Sequence, residues 1–142
     1  MSYSIYMDLR SSLDIDQVRL LLKSESERYF SLLRRTPVQC SVVTMQDEHA
    51  ILVTSRQFGF TPNYLVSVVI RDEWESTEDW LGAAVICANL VYATCGDGLL
   101  VTQNCEPIFV IIGSLMQINS NISSAHELSL RYPQAKVTHI EL

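Results

Sequence analysis

Apolar and polar positions alternate at both ends of the chain. The odd positions from Tyr3 to Leu9 are apolar, whereas the even positions from Ser4 to Asp8 are mainly polar. This period of two is typical of a strand with one buried face. The segment Lys136 to Glu141 alternates again, which predicts a last strand at a sheet edge. Both ends of the chain are therefore predicted to belong to the sheet.

Helical spacing appears in three other segments. Apolar residues recur three and four positions apart from Ile15 onward, after capping residues at Asp14 or Asp16, and Pro37 blocks continuation. A second helix is predicted to start at a capping box of Ser76 and Asp79, with Glu78 and Asp79 in its first turn. Past Asp79 it is apolar almost all round, which predicts burial. It is expected to end near Cys95, with Gly96 supplying the left-handed conformation of the cap. A short third helix is predicted from Ser123 or Ser124 to Arg131.

The remaining apolar runs predict strands. Segments rich in β-branched residues flank Gln46 to His49, which predicts a hairpin with strands at Gln39–Met45 and Ala50–Thr54. Further strands are expected at Tyr64–Arg71, Gly98–Asn104, Pro107–Ile112 and Ser114–Asn119, with a turn around Cys105-Glu106.

Runs of strands with short connections favour an antiparallel sheet with helices packed on it. The predicted fold class is α+β. We expect a single antiparallel or mixed sheet of about six to seven strands with two to three helices, mainly on one face. A chain of 142 residues fits one globular domain, residues 1–142.

Composition places the chain among folded, soluble proteins. Apolar residues make up 48% and charged residues 18%, so disorder is not expected. The N-terminus lacks the basic start of a secretory signal, and the longest apolar stretch is shorter than the roughly 20 residues of a membrane span. Four cysteines without a CxxC pair are predicted to be reduced thiols. We expect a cytoplasmic monomer or weak homodimer.

Charge is distributed unevenly along the chain. Residues 1–71 contain 7 acids and 8 bases, whereas residues 72–142 contain 9 acids and 2 bases. No lysine or arginine occurs between Asp72 and Leu130. A one-sided field of this kind repels nucleic acid and anionic membranes and attracts basic partners.

Five of these acids fall within eight positions, and we call residues 72–79 the acidic segment. Carboxylates at a helix start complement the helix dipole, but that accounts for two acids rather than five without a base. A tryptophan inside such a segment is a suitable anchor for an interface. The predicted partner-binding residues are Asp72, Glu73, Trp74, Glu75, Glu78 and Asp79.

Catalytic and metal motifs are not found. The three histidines lie far apart without a second ligand at metal spacing. Gly96-Asp97-Gly98 follows a helix instead of preceding one and lacks the pattern of a phosphate loop. No GxSxG elbow occurs. We therefore expect no metal, no cofactor and no enzymatic activity, although a triad assembled from residues distant in sequence stays open.

From Trp80 onward the chain combines a helix of small apolar residues, Gly96-Asp97, and the strands LLVTQNCEPIFVII and LMQIN. Together with the opening strand SYSIYMDL, this resembles the small immunity proteins that accompany bacterial polymorphic and contact-dependent toxins. Asn104-Cys105-Glu106 stands where that pattern has a glycine turn. The resemblance implies stoichiometric binding of a cognate toxin, and the acidic half implies a basic one, most simply a nuclease.

Two alternatives stay open at this point. Type III secretion chaperones are also small, acidic and α+β, but they typically open with a helix and form dimers, whereas this chain is predicted to open with a strand. The second alternative is a small enzyme with a dispersed site. Convergent polar groups in a deep pocket favour the enzyme, a long dimer groove favours the chaperone, and a flat acidic face favours an immunity protein.

Overall fold

A computed structural model describes residues 2–33, 39–71 and 77–142, of which residues 2, 3, 30–33, 71 and 77–79 are described by their backbone alone. Eleven elements follow one another in this part of the chain. They are β1 (Ser2–Arg10), α1 (Ile15–Leu33), β2 (Gln39–Thr44), α2 (Glu48–Phe58), β3 (Tyr64–Arg71), α3 (Thr77–Thr94), β4 (Asp97–Thr102), β5 (Pro107–Ile112), β6 (Leu115–Asn119), α4 (Ala125–Arg131) and β7 (Lys136–Thr138).

The strands form one seven-stranded sheet in the order β2-β3-β1-β4-β5-β6-β7. Every neighbouring pair is antiparallel except β6 and β7, which are parallel because α4 carries the chain back to the starting end of β6. The predicted α+β class with a mixed sheet is confirmed. The described residues form four helices instead of the two to three expected.

The central strand is β1, which pairs with β3 on one side and β4 on the other. Its odd positions Ile5, Met7 and Leu9 are each 0% exposed and lie in the main core. The period of two in the sequence therefore predicted the buried face of the strand correctly. Its even positions, including Tyr6 and Asp8, point to the opposite face, which we call the second face.

Three helices cover the core face of the sheet. α3 is buried along most of its length, as its nearly continuous apolar sequence predicted, and α1 and α4 pack beside it. Gly82 lies at the crossing of α1 and α3, where any side chain on it would overlap the ring of Tyr29. No helix in the described part of the chain is long and apolar enough to cross a membrane.

The predicted strand at Ala50–Thr54, and the hairpin containing it, is wrong because α2 occupies this segment. The Asp47 carboxylate accepts hydrogen bonds from the backbone N–H groups of His49 and Ala50, which caps the helix. Gly59, with φ of 80°, ends it in the left-handed conformation. Two capping signals therefore outweigh the β propensity of the residues between them.

The end of α3 also differs from the prediction. The left-handed residue is Cys95, with φ of 51°, and not Gly96. The N–H groups of Cys95 and Gly96 donate to the carbonyls of Tyr92 and Val91, as in a Schellman motif. Gly96 is required for a different reason, because a Cβ there would collide with the backbone carbonyl of Arg10.

The four cysteines are unpaired in the structure and differ in their exposure. Cys87 is buried in α3, Cys40 is partly buried, and Cys95 and Cys105 are exposed. Burial raises the pKa of the Cys87 and Cys40 thiols, which lowers their thiolate fraction.

We expect a disulfide-exchange reagent at about pH 8 to modify Cys95 and Cys105 rapidly, Cys40 slowly, and Cys87 only after unfolding, because reaction requires an accessible thiolate. The measurement is a timed thiol titration of fresh protein followed by mass mapping, with fully denatured protein as the control for the total. Rapid modification of Cys87 in the native protein would contradict the burial of α3.

Candidate functional site

The acidic segment follows the end of β3, and the topology shows which parts of the fold share that end. Strand registers place Arg71 beside Ser2 of β1 and Gln39 of β2 beside Val69. β4 finishes at the same end, so the β4–β5 turn lies there, and α3 and α4 begin there. We call this the junction end of the sheet.

The predicted partner-binding residues lie between β3 and the first turn of α3 in the sequence. Asp72, Glu73, Trp74 and Glu75 lie outside the described residues. Glu78 and Asp79 lie in the first turn of α3, where only the backbone is described. The second tryptophan near the segment, Trp80, is partly buried and packs against the main core, so it belongs to the scaffold.

Other acids approach the junction end from elements distant in sequence. Glu106 is exposed in the β4–β5 turn, and Glu127 is exposed in the first turn of α4. The N-terminal dipoles of α3 and α4 stabilise carboxylates in their first turns. Glu106 lies between two strands and receives no such stabilisation. The fold therefore brings two exposed acids, Glu106 and Glu127, to the end of the sheet where β3 finishes at Arg71.

A partly buried acid, Asp8, lies on the second face. Thr54 of α2 donates a hydrogen bond of 2.8 Å from its hydroxyl to the Asp8 carboxylate of β1. Burial raises the pKa of Asp8, the Thr54 hydrogen bond opposes that rise, and the charge of Asp47 adds to it. The pair attaches α2 to the sheet beside a small apolar cluster of Phe60, Leu99, Val110 and Ile140.

Replacing Asp8 by asparagine is expected to raise the free energy of unfolding relative to the wild type at pH 7, and by less at low pH. Because the folded-state pKa of Asp8 is raised, the wild type loses stability as pH rises through that pKa, whereas asparagine does not titrate. Urea unfolding between about pH 3.5 and 7 measures the difference. Thr54→Val is the companion variant. It is expected to lower the free energy of unfolding most near pH 7, because the Thr54 hydrogen bond stabilises the charged form of Asp8. A stability difference between Asp8→Asn and the wild type that is constant with pH would contradict this.

Buried polar groups elsewhere bond to other parts of the fold. Asp97, 5% exposed, accepts from the Arg10 guanidinium at 2.7 Å and from the Gly113 N–H at 2.9 Å. Buried Asn119 donates to the Pro107 carbonyl at 2.8 Å and accepts from the Ile140 N–H. These side chains connect strand ends and turns, and their polar atoms are occupied by those bonds.

The described histidines remain apart. His139 is exposed, with Asn121 at 2.9 Å and the Glu141 carboxylate at 3.7 Å. Among the residues that the structure describes, no group of three or more histidines, cysteines and acids could hold a metal ion.

A groove between α1 and the edge strand β2 has no counterpart in the sequence-based predictions. Its volume is about 580 Å³, and α1 contributes Arg19, Leu22, Lys23, Ser26 and Glu27. The Arg19 guanidinium donates two hydrogen bonds, of 3.2 and 3.1 Å, to the carbonyl of Val42 in β2. A charged side chain therefore caps part of the open backbone edge of the sheet.

Comparison with models of protein families, with curated proteins and with solved structures finds no significant match.

Proposed function

We propose that this protein is an immunity protein that binds a cognate bacterial toxin stoichiometrically, through the acidic junction end, and carries out no catalysis itself. The proposed partner is a basic toxin, most simply a nuclease, because a nuclease surface shaped for phosphates also attracts carboxylates. Binding would cover or distort its active site. The proposed compartment is the cytoplasm, where such a nuclease acts.

The presence of the exposed acids Glu106 and Glu127 at one end of the sheet is the observation that carries this proposal. The acidic segment connects the end of β3 to the start of α3, and both elements are anchored in the core. Glu106 and Glu127 come to the same end from other connections. Exposed carboxylates attract a basic partner at long range.

The central position of the opening strand also supports this class over a secretion chaperone. β1 lies between β3 and β4, with its apolar positions in the core. The chaperones considered above typically open with a helix, so the element order agrees better with the immunity proteins. Polar side chains such as Asp97 and Asn119 stabilise the fold by bonds to backbone groups, which favours a binding scaffold over an enzyme with a dispersed site.

Complex formation tests the proposal. The probe is the product of the open reading frame adjacent to the gene for this chain, produced with an inactivated catalytic residue so that its host survives. Native mass spectrometry is expected to show a 1:1 complex that persists on size-exclusion chromatography. An unrelated basic nuclease of similar charge is the control for nonspecific attraction and is expected to dissociate at physiological salt. Two separate species under all salt conditions would contradict the proposal.

A further inference from the structure

Residues 46–62, which contain α2, form an excursion of the chain between two neighbouring strands. Thr44 of β2 pairs with Tyr64 of β3, and the Met45 N–H donates to the Asn63 carbonyl at 3.0 Å, so the two ends of the excursion are joined at its base. The backbone hydrogen bonds of α2 run within the helix and its caps. The excursion can therefore leave the sheet without breaking the pairing of β2 with β3.

A second segment packs beside this excursion on the second face. Residues 139–142 follow β7, and Ile140 is buried together with Phe60 in the small apolar cluster. The side chain of Gln57 in α2 donates a hydrogen bond to the Glu141 carbonyl. Each segment thus contributes one buried apolar side chain to the same cluster, and a hydrogen bond joins the two directly. We call residues 46–62 and 139–142 together the cover.

The cover packs less completely than the main core. Thr54 is the buried residue of α2, whereas Leu52 in the same helix is 46% exposed. A cleft of about 400 Å³ lies between the cover and the strands β5 and β6, with Phe58 and Ile140 on the side of the cover and Val110 on the side of the sheet. Segments with few buried contacts open locally at a lower free energy than the core.

We infer that the cover opens as one unit while the main core stays folded, and that opening exposes the second face beneath it. Opening breaks the hydrogen bond from Thr54 to Asp8 and uncovers Leu99 and Val110. The seven strands stay paired, because both segments lie outside the strand ladders. The cover thereby controls access to a partly buried carboxylate and an apolar strip. This inference does not depend on the proposed toxin binding.

Native-state hydrogen exchange of the full chain, followed by amide NMR at several low urea concentrations, tests this inference. The amides of α2 and of Ile140 are expected to share one protection factor, at least about 100-fold below that of the amides of β1. Their exchange is expected to depend weakly on urea because opening exposes little surface, whereas exchange in β1 depends steeply on urea.

Substitutions distinguish one cooperative unit from two separate segments. Ile140→Ala is expected to lower the protection of the α2 amides by about 10- to 100-fold, because the two segments share one cluster. Val137→Ala is the matched control at a 45% exposed position of β7, and a change below about threefold is expected. Val18→Ala, in the main core, is expected to lower the protection of β1 and to leave that of the cover unchanged.

Three results would overturn the inference. They are cover amides protected as strongly as those of β1, α2 amides unaffected by Ile140→Ala, and equal loss of protection in the cover and β1 with Val18→Ala. If Ile140→Ala does not fold, the protection and urea dependence of the wild type decide the question on their own.

Discussion

Reversing three acids of the acidic segment is expected to slow association with a basic partner by about 10- to 1,000-fold at low salt. The variant is Glu73→Lys, Glu75→Lys and Glu78→Lys, which changes the formal net charge from −6 to 0. Long-range attraction acts on the encounter rate more than on dissociation, so the rate of complex formation is the sensitive quantity.

Stopped-flow mixing with the partner measures this rate at ionic strengths of about 0.1 M and about 1 M, where the Debye length falls from about 10 Å to about 3 Å. The wild-type rate is expected to fall steeply with salt, and the variant rate to change little. The control is Asp16→Lys, Glu48→Lys and Glu141→Lys, which gives the same net charge from exposed acids outside the acidic segment. Equal slowing in both variants would assign the effect to net charge, and a wild-type rate independent of salt would contradict electrostatic steering.

Replacing Gly96 by alanine is expected to lower the free energy of unfolding by about 2–4 kcal/mol. A Cβ at this position collides with the carbonyl oxygen of Arg10 and comes within 3.1 Å of the Thr94 hydroxyl. The Arg10 carbonyl belongs to the backbone, so it cannot rotate away as the end of a flexible side chain can. The end of β1 and the start of β4, which are paired through Arg10 and Asp97, must separate.

Gly113→Ala is the matched control. Gly113 has φ of 56° and nothing lies within 4 Å of the added Cβ, so the substitution incurs only the left-handed conformational cost of about 1 kcal/mol. Chemical denaturation of both variants measures how much unfolding free energy each substitution removes. If Gly96→Ala were no more destabilising than Gly113→Ala, the close approach of α3's last turn to β1 would be wrong.

The spacing of apolar residues along the chain correctly predicted the buried positions of two elements. The alternation from Tyr3 to Leu9 identified the core positions of β1, and the apolar run after Asp79 identified α3 as buried. The same reasoning failed where local signals conflict. The β-branched residues of α2 predicted a strand, although Asp47 and Gly59 carried the capping signals of a helix.

The contacts that define the groove between α1 and β2 and the surroundings of Asp8 depend on packing between distant segments. Arg19 reaches the Val42 carbonyl across 23 positions, and Thr54 reaches Asp8 across 46. No local sequence pattern predicts either contact, because each depends on where a helix packs on the sheet. Sequence position alone likewise gave Gly96 the wrong role, since its constraint comes from the Arg10 carbonyl in β1. The acidic segment could be recognised from the sequence because the number of charged residues does not depend on packing.

Growth rescue tests the central claim most directly. Cells expressing the active product of the adjacent open reading frame are compared with and without this protein, and with the triple charge-reversal variant at matched folded concentration. The account predicts that the wild type restores growth, that the variant requires a higher expression level to do so, and that rescue accompanies a 1:1 complex. Failure of the wild type to restore growth while the partner is toxic, or rescue without a complex, would contradict it.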